Sequence, residues 1–521
     1  LKPIIAQKFY LPFLLALAAL LLIPSLGKTP LWIYDEVRNA ECAREMWERG
    51  DWIVPTFNGT LRTLKPPLHY WAMFGGFELF GVTEWGARAF SALFGIATIA
   101  ITFLYVRRWS TPLHAFLSAA VLLASTHFLF EFRMSVPDPY LIFFNALSIF
   151  TAYQYFTEKK LGALLLSAVS FGLGILAKGP VAVALPGLGI LCWLIWDKRW
   201  RRLFTWHLVP AALVMLLVAV PWYWAVHTAT NGEWTRGFFL EHNVGRFSEP
   251  MEGHGGLFLI VPLFVLLGLL PASAWVGEAF KRFRDTYNTS LLKLALSITL
   301  SFVFFYSVSG TKLPNYPMPC YPLFAVLLGF VLLQLLQGFK QNKIYPLIIL
   351  LVINIALPVG LYFGIKNEVE LTGLEGYAMP VAVLTITSLL SIYLFRKKGV
   401  APALVVLFAG YCVFNLLFLN FIYPTVYRHN PMSKTIGKID ASKPVVGYKL
   451  FHPSFTYYLP NRVPMLHSPQ SLDSFMQIHR HTTVLTRQSY LEELAPLQLD
   501  TIGIHHDLFE SSTTAVMRAN K

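Results

Sequence analysis

Long apolar runs separated by short polar connections make up most of this 521-residue chain. A helix needs roughly 20 apolar residues to cross about 30 Å of hydrocarbon, and many of the runs reach that length. The pattern predicts a polytopic α-helical membrane protein with about thirteen transmembrane helices, all within residues 1–422. The predicted spans are 9–26, 86–106, 112–130, 137–156, 161–177, 180–196, 205–226, 255–274, 291–309, 316–336, 344–364, 378–395 and 401–422.

Two long stretches depart from this pattern. Residues 27–85 are too polar to span a bilayer and begin with an amphipathic helix that carries Val37 and Met46 on its apolar side. We expect interfacial helices here, with the first lying flat in the membrane interface. Residues 423–521 alternate short strand-like and helical pieces, which predicts a small α/β domain. The predicted strands are 443–450, 463–467, 482–486 and 501–504, and the predicted helices are 471–478 and 490–497.

Every second connection between the predicted spans carries a cluster of basic residues. The positive-inside rule assigns these clusters to the cytoplasm. The amino terminus is then cytoplasmic, and both the 27–85 segment and the carboxyl-terminal domain lie on the periplasmic side of a bacterial inner membrane. The polar chemistry is concentrated on that periplasmic side. The clusters are found at 2–8, 107–108, 159–160, 198–202, 281–284, 340–343 and 396–398.

The high hydrophobic content and the positive net charge indicate which partners this chain binds. The chain is 55% hydrophobic and 13% charged, whereas a soluble chain is about a quarter charged. The net charge of +14 fits basic residues that fix topology and meet anionic lipid, so we expect membrane lipids and no nucleic acid as partners. The four cysteines show no metal-binding spacing and predict no disulfide framework.

Asp35 and Glu36 are the first candidate catalytic residues. They lie just outside the first predicted span and open the amphipathic helix. Acids at a helix start are often present only because they favour the helix dipole. A carboxylate held at the headgroup level, however, can also act as general base on the hydroxyl of an acceptor.

Further candidate residues come from separate segments of the chain and are predicted to lie on the same, periplasmic side of the membrane as Asp35. Each has an ordinary explanation as a snorkelling side chain or a helix cap. A single histidine, His242, is weak support for a metal site. Together the group suits a site with two acids for an acceptor and a sugar, and several cations for a phosphate leaving group. Its members are Lys65, Asp138, Lys178, His242, Arg246, Lys312 and Tyr316.

Several motifs resemble the protein-mannosyltransferase-like, C-type glycosyltransferases. Residues 35–46 have the pattern D-E-x-R-x-A-E-x-A-R-E-M, residues 50–59 the pattern G-D-W-I-V-P-x-F-N-G, and residues 65–68 are K-P-P-L. The segments E-H-N-V-G-R-F at 241–247 and K-L-P-N-Y at 312–316 also look like motifs of that family. Within it, the chain is most similar to the bacterial 4-amino-4-deoxy-L-arabinose lipid A transferases.

The resemblance implies transfer of a sugar from a polyprenyl-phosphate donor to a periplasmic acceptor, lipid A or a related glycolipid, with inversion at the anomeric carbon. It implies that Asp35 is the catalytic carboxylate and that Lys65 and Arg246 hold the donor phosphate. The rest of the implied sugar and phosphate pocket consists of Arg38, Asp138, Lys178, Lys312 and Tyr316.

The chain also departs from these transferases at specific positions. Asn39 stands where they usually have tyrosine, and Arg62-Thr63 stands near their usual aromatic residues. Leu64 replaces an acid that joins the loop histidine in a metal site of that family. We therefore expect no stoichiometric divalent metal at His242. The departures leave the identity of the sugar and of the acceptor open.

Alternative functions follow from the same residues. A protein O-mannosyltransferase-like enzyme, or a transferase that decorates a surface polysaccharide, would use the same donor chemistry. A lipid-linked-sugar transporter or flippase is the alternative from a different class. Transporters place ionisable groups near the middle of the membrane and often show repeat symmetry, and this chain shows neither clearly. We expect an enzyme that acts as a monomer.

Overall fold

The computed structural model describes residues 6–245, 255–278, 289–338 and 343–519. These residues are predominantly helical, and each predicted span coincides with at least one helix. Helices satisfy their own backbone hydrogen bonds, as a bilayer requires. The helices before residue 240 are α1 (Tyr10–Leu22), α2 (Tyr34–Arg49), α3 (Leu68–Phe80), α4 (Glu84–Trp109), α5 (Pro112–Ala124), α6 (Thr126–Glu131), α7 (Asp138–Glu158), α8 (Leu161–Lys178), α9 (Val181–Trp196), α10 (Leu208–Ala229) and α11 (Glu233–Arg236).

The second half of the chain continues with long helices up to residue 417, after which the helices are short. A π-helical segment, Gly237–Gly245, follows α11 directly. The later helices are α12 (Ile260–Gly268), α13 (Ser290–Val308), α14 (Tyr321–Leu336), α15 (Tyr345–Lys366), α16 (Val383–Lys398), α17 (Val400–Leu417), α18 (Tyr423–Tyr427), α19 (Pro431–Thr435), α20 (Ser454–Tyr458), α21 (Pro469–Ile478) and α22 (Leu491–Leu494).

Eight helical stretches of the described chain are long and apolar enough to cross a membrane, or nine if the bent pair within 260–278 counts as one span. Helices α1, α5 and α9 are shorter but also apolar. The chain is therefore a polytopic helical membrane protein, as predicted, whereas the number of thirteen crossings stays a prediction. The eight stretches are Glu84–Trp109, Leu161–Lys178, Leu208–Ala229, Ser290–Val308, Met318–Leu336, Tyr345–Lys366, Glu375–Lys398 and Val400–Tyr427.

Small residues allow neighbouring helices to approach closely in this bundle. A Cβ on Gly329 of α14 would lie 2.7 Å from the backbone nitrogen of Ser118 in α5. A Cβ on Gly76 of α3 would collide with the carbonyl of Gly86 in α4. Close packing of this kind holds helices together where lipid provides no hydrophobic driving force.

The 27–85 segment contains α2, a short hairpin of β1 (Thr56–Phe57) and β2 (Thr60–Leu61), and α3. The apolar side of α2, including Val37 and Met46, is fully buried in a cluster with residues of α3. This corrects the expectation that α2 rests its apolar side in the membrane interface, because that side is covered by protein. The predicted amphipathic helix itself is present, as α2.

Residues 423–521, which we call the tail, contain a five-stranded mixed sheet with short helices. Its strands are β3 (Val445–Tyr448), β4 (Met465–Leu466), β5 (Thr483–Arg487), β6 (Asp500–His506) and β7 (Thr513–Arg518). The strand order is β4-β3-β5-β7-β6, with parallel pairing at β4-β3 and β3-β5 and antiparallel pairing elsewhere. The first four strands match the predicted ones, and β7 was not predicted.

The tail packs directly against the 27–85 segment. The Arg44 guanidinium donates to the carbonyl of Thr456 at 3.1 Å. Asn58 and Val463 exchange two hydrogen bonds of 2.8 and 2.9 Å. The tail and the 27–85 segment therefore lie at the same end of the bundle.

Candidate active site

A cavity of about 130 Å³ lies at this end of the helix bundle, which we call the site end. The chain before α3, the α8–α9 turn, the π-helical segment and the end of α13 converge on it. Four of the predicted residues line it, namely Lys65, Lys178, His242 and Tyr316. The remaining lining residues are Leu64, Pro66, Val181, Phe238, Phe305, Tyr306 and Ser309.

Asp138, which is buried, and Lys178, which is partly buried, form an ion pair beside this cavity. Helix α7 begins at Asp138 and α8 ends at Lys178, so the two antiparallel helices bring both residues to the site end. Gly179, with a φ of 84°, ends α8 in a conformation that glycine adopts without strain. The Lys178 Nζ donates to the Asp138 carboxylate at 2.6 Å and lies 4.7 Å from the centroid of the Tyr316 ring. The structure thus brings three predicted residues together.

Lys65 supplies a second cation to the cavity. It lies between the β1–β2 hairpin and α3 and is 7% exposed. Burial, and then the nearby charges of Lys65 and Arg62, lower the pKa of His69 well below its usual value, so that imidazole is neutral. The nearby charge of Asp35 acts to raise the pKa of His69. Asp35 and Lys65 therefore lie in one electrostatic neighbourhood.

The two adjacent acids at the head of α2 have different environments. Asp35 is exposed at the surface of the site end. Glu36 is fully buried, and its carboxylate accepts two hydrogen bonds of 2.6 and 2.7 Å from Arg88 and one of 3.0 Å from the backbone N–H of Ser135. This geometry does not fit the expectation that Glu36 is catalytic, because its oxygens are enclosed by protein donors.

The other predicted cations differ in what the structure shows of them. The Arg38 guanidinium lies over the Tyr34 ring, with 5.2 Å between Cζ and the ring centroid. The Lys312 Nζ donates to the carbonyl of Ser309, a cavity residue, at 2.7 Å. Arg246 falls outside the described residues, so its role stays a prediction.

The metal implied by the resemblance does not fit the residues that are present. Leu64 and His242 both line the cavity. A leucine side chain has no donor atom, and the charged groups on the same wall are the cations Lys65 and Lys178, which repel a divalent ion. Across the described ranges, no group of three or more histidine, cysteine, aspartate or glutamate residues is arranged to hold a metal ion.

Glu131, which was not among the predicted site residues, and two of the residues at which the chain departs from the family pattern, Arg62 and Asn39, lie in the same region. Glu131, at the end of α6, is buried and interacts electrostatically with Asp138, Lys178 and Asp35. The Arg62 guanidinium donates to the Asn39 side chain at 3.1 Å beneath the same region. An acid that directly follows an apolar run is the only sequence signal that pointed to Glu131.

The arrangement combines an exposed carboxylate, Asp35, with one buried and one partly buried cation, Lys65 and Lys178. Lys65 and Lys178 can neutralise a phosphate that enters the cavity, and the Asp138 carboxylate holds Lys178 in place. Asp35 remains accessible to a second molecule that arrives from outside. Such an arrangement suits a group transfer from a phosphate-linked donor.

Comparisons with known proteins agree with this chemistry. Residues 8–235 match the family described as "Dolichyl-phosphate-mannose-protein mannosyltransferase". The "Undecaprenyl phosphate-alpha-4-amino-4-deoxy-L-arabinose arabinosyl transferase 2" of Pseudomonas fluorescens (strain Pf0-1) is 31% identical over 416 residues, which cover 76% of this chain and 74% of that protein.

Two solved structures are similar in fold. ArnT from Cupriavidus metallidurans bound to undecaprenyl phosphate matches with a TM-score of 0.80 at 22% identity, over 99% of this chain and 98% of that chain. The apo oligosaccharyltransferase of Archaeoglobus fulgidus matches with a TM-score of 0.52 at 10% identity, over 93% and 70% of the two chains. At these identities the likeness concerns the fold alone.

Proposed function

We propose the reaction of this chain from the premise that it belongs to the family of bacterial undecaprenyl phosphate-4-amino-4-deoxy-L-arabinose arabinosyl transferases and is a membrane glycosyltransferase. It transfers a sugar from a polyprenyl-phosphate donor to an acceptor at the periplasmic face of the inner membrane. Lipid A or a related glycolipid is the acceptor. The protein acts as a monomer, with residues 1–422 as the catalytic membrane domain and residues 423–521 as a periplasmic domain.

The donor phosphate binds in the cavity of the site end. Lys65 and Lys178 face that cavity, and Arg246 joins them according to the family motif. The prenyl chain stays in lipid. When the bond between the anomeric carbon and the phosphate oxygen breaks, these cations stabilise the negative charge on the departing polyprenyl phosphate. Tyr316, Asp138 and Lys312 shape the sugar and phosphate pocket.

Asp35 is the general base for the acceptor. The acceptor oxygen forms the new bond to the anomeric carbon from the face opposite the phosphate, which inverts its configuration, and the hydroxyl proton passes to the Asp35 carboxylate. Glu36 takes no direct part in this step. Its ion pair with Arg88 anchors the head of α2 and thereby holds Asp35 at the surface.

The observation that carries this proposal is an exposed carboxylate, Asp35, in the same neighbourhood as two cations on a cavity wall, Lys65 and Lys178. The test measures sugar transfer by the purified protein from a polyprenyl-phosphate sugar to lipid A. Asp35→Asn should lower kcat by about 100- to 10,000-fold, the range expected for loss of a general base, while donor binding is retained. Asp500→Asn, at an exposed position of the tail, is the control and should match the wild type.

Two outcomes would contradict the proposal. Full transfer activity in Asp35→Asn would remove Asp35 from the mechanism. Movement of the lipid-linked sugar across vesicles without any transfer would favour the flippase alternative. The match to the protein mannosyltransferase family makes protein the second candidate acceptor. Mass spectrometry of lipid A and of surface glycoproteins from a strain that lacks this protein distinguishes the two acceptors.

A further inference from the structure

Tyr34, the first residue of α2, is held by a side chain of the carboxyl-terminal domain. The Arg487 Nη2 donates a hydrogen bond of 2.7 Å to the Tyr34 hydroxyl. Burial raises the pKa of Tyr34, so the hydroxyl stays neutral and can accept this bond. These residues are 453 positions apart in the chain, so the contact joins two separate parts of the fold.

Arg487 is itself fixed in the sheet of that domain. Its Nη1 is paired with the Asp507 carboxylate and donates to the Thr514 hydroxyl at 3.0 Å. Arg487 is 5% exposed, and Asp507 and Thr514 are fully buried. A planar guanidinium can serve the carboxylate and the tyrosine at once, whereas a lysine is a single point charge. Arg487 therefore presents a rigid donor to Tyr34.

Aromatic contacts with the carboxyl-terminal domain also hold Tyr34 and its neighbour Trp32. The His452 ring stacks on the Trp32 ring with 3.5 Å between centroids and an interplanar angle of 1°. The same His452 ring lies 4.4 Å from the Tyr34 ring at an angle of 58°. The domain thus contacts the chain on both sides of Ile33, immediately before Asp35.

The side of Tyr34 away from the domain carries Arg38, which the family resemblance implies is part of the sugar and phosphate pocket. Arg38 lies one helical turn after Tyr34 and places its guanidinium over the Tyr34 ring. A cation above an aromatic ring is attracted by the ring's quadrupole. The orientation of the Tyr34 ring therefore influences where Arg38 points, and Asp35 is attached to the same backbone turn.

We propose that Arg487 and Tyr34 are positioning residues of the transfer reaction, through which the carboxyl-terminal domain orients Arg38 toward the donor phosphate and fixes the head of α2. This inference rests on the proposed function of the site. The domain is also fastened by Arg44 with Thr456 and by Asn58 with Val463, so loss of the Tyr34 hydrogen bond alone leaves the domain docked.

The decisive variant is Tyr34→Phe, which keeps the ring beneath Arg38 and removes only the hydroxyl. A hydrogen bond to a charged group is worth enough to change affinity by about tenfold. We expect Tyr34→Phe to raise the donor KM about tenfold, with kcat changed less than the KM and the thermal unfolding midpoint lowered by only a few degrees, as loss of one hydrogen bond predicts. Arg487→Lys should act in the same direction. Tyr448→Phe, which removes a hydroxyl that donates to Glu493 elsewhere in the domain, is the matched control and should match the wild type.

Coupling to Arg38 separates positioning from a general structural role. In an Arg38→Met background, Tyr34→Phe should have no further effect on donor KM, because its influence passes through Arg38. Additive effects of the two substitutions would overturn the proposal, and so would a wild-type donor KM in Tyr34→Phe.

A second readout does not depend on turnover. We expect purified Tyr34→Phe protein in lipid nanodiscs to bind undecaprenyl phosphate more weakly than the wild type. The Tyr448→Phe protein should bind it as tightly as the wild type. If the wild type shows no sugar transfer, the proposed reaction fails, and the binding series still supports or rejects the positioning role. Equal affinities across the series would reject it.

Discussion

At the residue scale, Glu36 and Arg88 show how this protein keeps two charges buried. Arg88 donates to both Glu36 oxygens and also to the carbonyls of Leu26 and Thr29 at 2.7 Å. Glu36 accepts in addition from the backbone of Ser135. Several charge-assisted hydrogen bonds offset the free energy of desolvating each ion. The pair joins α2 to α4 one residue away from Asp35.

Removing one member of this pair should destabilise the fold. Glu36→Gln leaves the Arg88 charge buried without its counter-ion, and we expect the free energy of unfolding to fall by about 3–5 kcal/mol. Denaturant or thermal unfolding in detergent measures this change. Glu48→Gln removes an exposed partner of Arg44 and should cost less than about 1 kcal/mol. A Glu36→Gln protein whose free energy of unfolding lies within about 1 kcal/mol of the wild type would contradict this prediction.

The metal expectation can also be tested at the residue scale. Leu64 supplies no donor atom beside His242, so purified wild-type protein should contain much less than one zinc ion per chain by elemental analysis. Leu64→Glu places a carboxylate on the same cavity wall and should raise the zinc content measured after dialysis against zinc. Leu64→Gln is the control, since a neutral amide is a poor zinc ligand. Stoichiometric zinc in the wild type would contradict this prediction.

Some of these residues could be predicted from the sequence and some could not. The alternation of basic clusters predicts that Asp138 and Lys178 lie on the same side of the membrane, because it predicts which helix ends are periplasmic. Their direct pairing depends on the register of α7 against α8, which no local pattern encodes. Glu36 was grouped with Asp35 because they are neighbours in sequence. A helix turns by about 100° per residue, so it points adjacent side chains in different directions.

At the scale of elements, α2 shows that a hydrophobic pattern predicts a helix but does not predict what the helix packs against. Its apolar periodicity correctly predicted an amphipathic helix, but periodicity does not reveal which surface covers the apolar side. The structure covers it with α3. The opposite side, with Glu41 and Arg44, is buried as well and reaches Thr456 of the tail. A contact between residues so far apart in the chain leaves no local signal.

The connection between α15 and α16 docks onto the tail through two acids. Glu370 pairs with Lys434 and accepts from the backbone N–H of His506 at 2.8 Å, and its oxygen lies 3.3 Å from the His505 ring nitrogen. Glu368 accepts from the His506 ring at 3.0 Å and from the backbone of Phe509 at 2.9 Å. Carboxylates thus hold this connection against β6 and the residues that follow it.

The stability from Glu370 should depend on pH. Burial acts to raise the pKa of Glu370, but the hydrogen bonds from Lys434 and His506 outweigh it and lower the pKa below its ordinary value. A lowered pKa means that the stabilisation is present above the unfolded-state pKa, about 4.3, and is lost as the pH falls through the folded-state value. Glu370→Gln should therefore lower the free energy of unfolding by about 1–3 kcal/mol at pH 7.

Thermal unfolding between pH 7 and strongly acidic pH checks this sign. The difference between wild type and Glu370→Gln should shrink as the acid is protonated. Glu492→Gln, at an exposed position of α22, should show no difference at any pH. A difference between wild type and Glu370→Gln that grows on acidification would contradict the assigned direction of the pKa.

At the scale of the whole molecule, apolar runs and charge alternation predicted most of the architecture. Each predicted span coincides with helix because a bilayer leaves helices as the main way to satisfy backbone groups. The tail was harder, since strands are short and their pairing is non-local. β7 (Thr513–Arg518) was missed although it pairs with both β5 and β6. Its place in the middle of the antiparallel part of the sheet depends on partners that lie earlier in the chain.

The orientation of the chain gives the last prediction. Seven predicted spans separate Lys198 from Ser442, and an odd number of crossings places these exposed positions on opposite sides of the membrane. In a background with Cys192 replaced by serine, Ser442→Cys should react with an impermeant maleimide in intact spheroplasts. Lys198→Cys should react only after the membrane is permeabilised, because the basic cluster around it is expected in the cytoplasm. Labelling of both from the outside would mean an even number of crossings between them, and the tail would then share a side with that cluster.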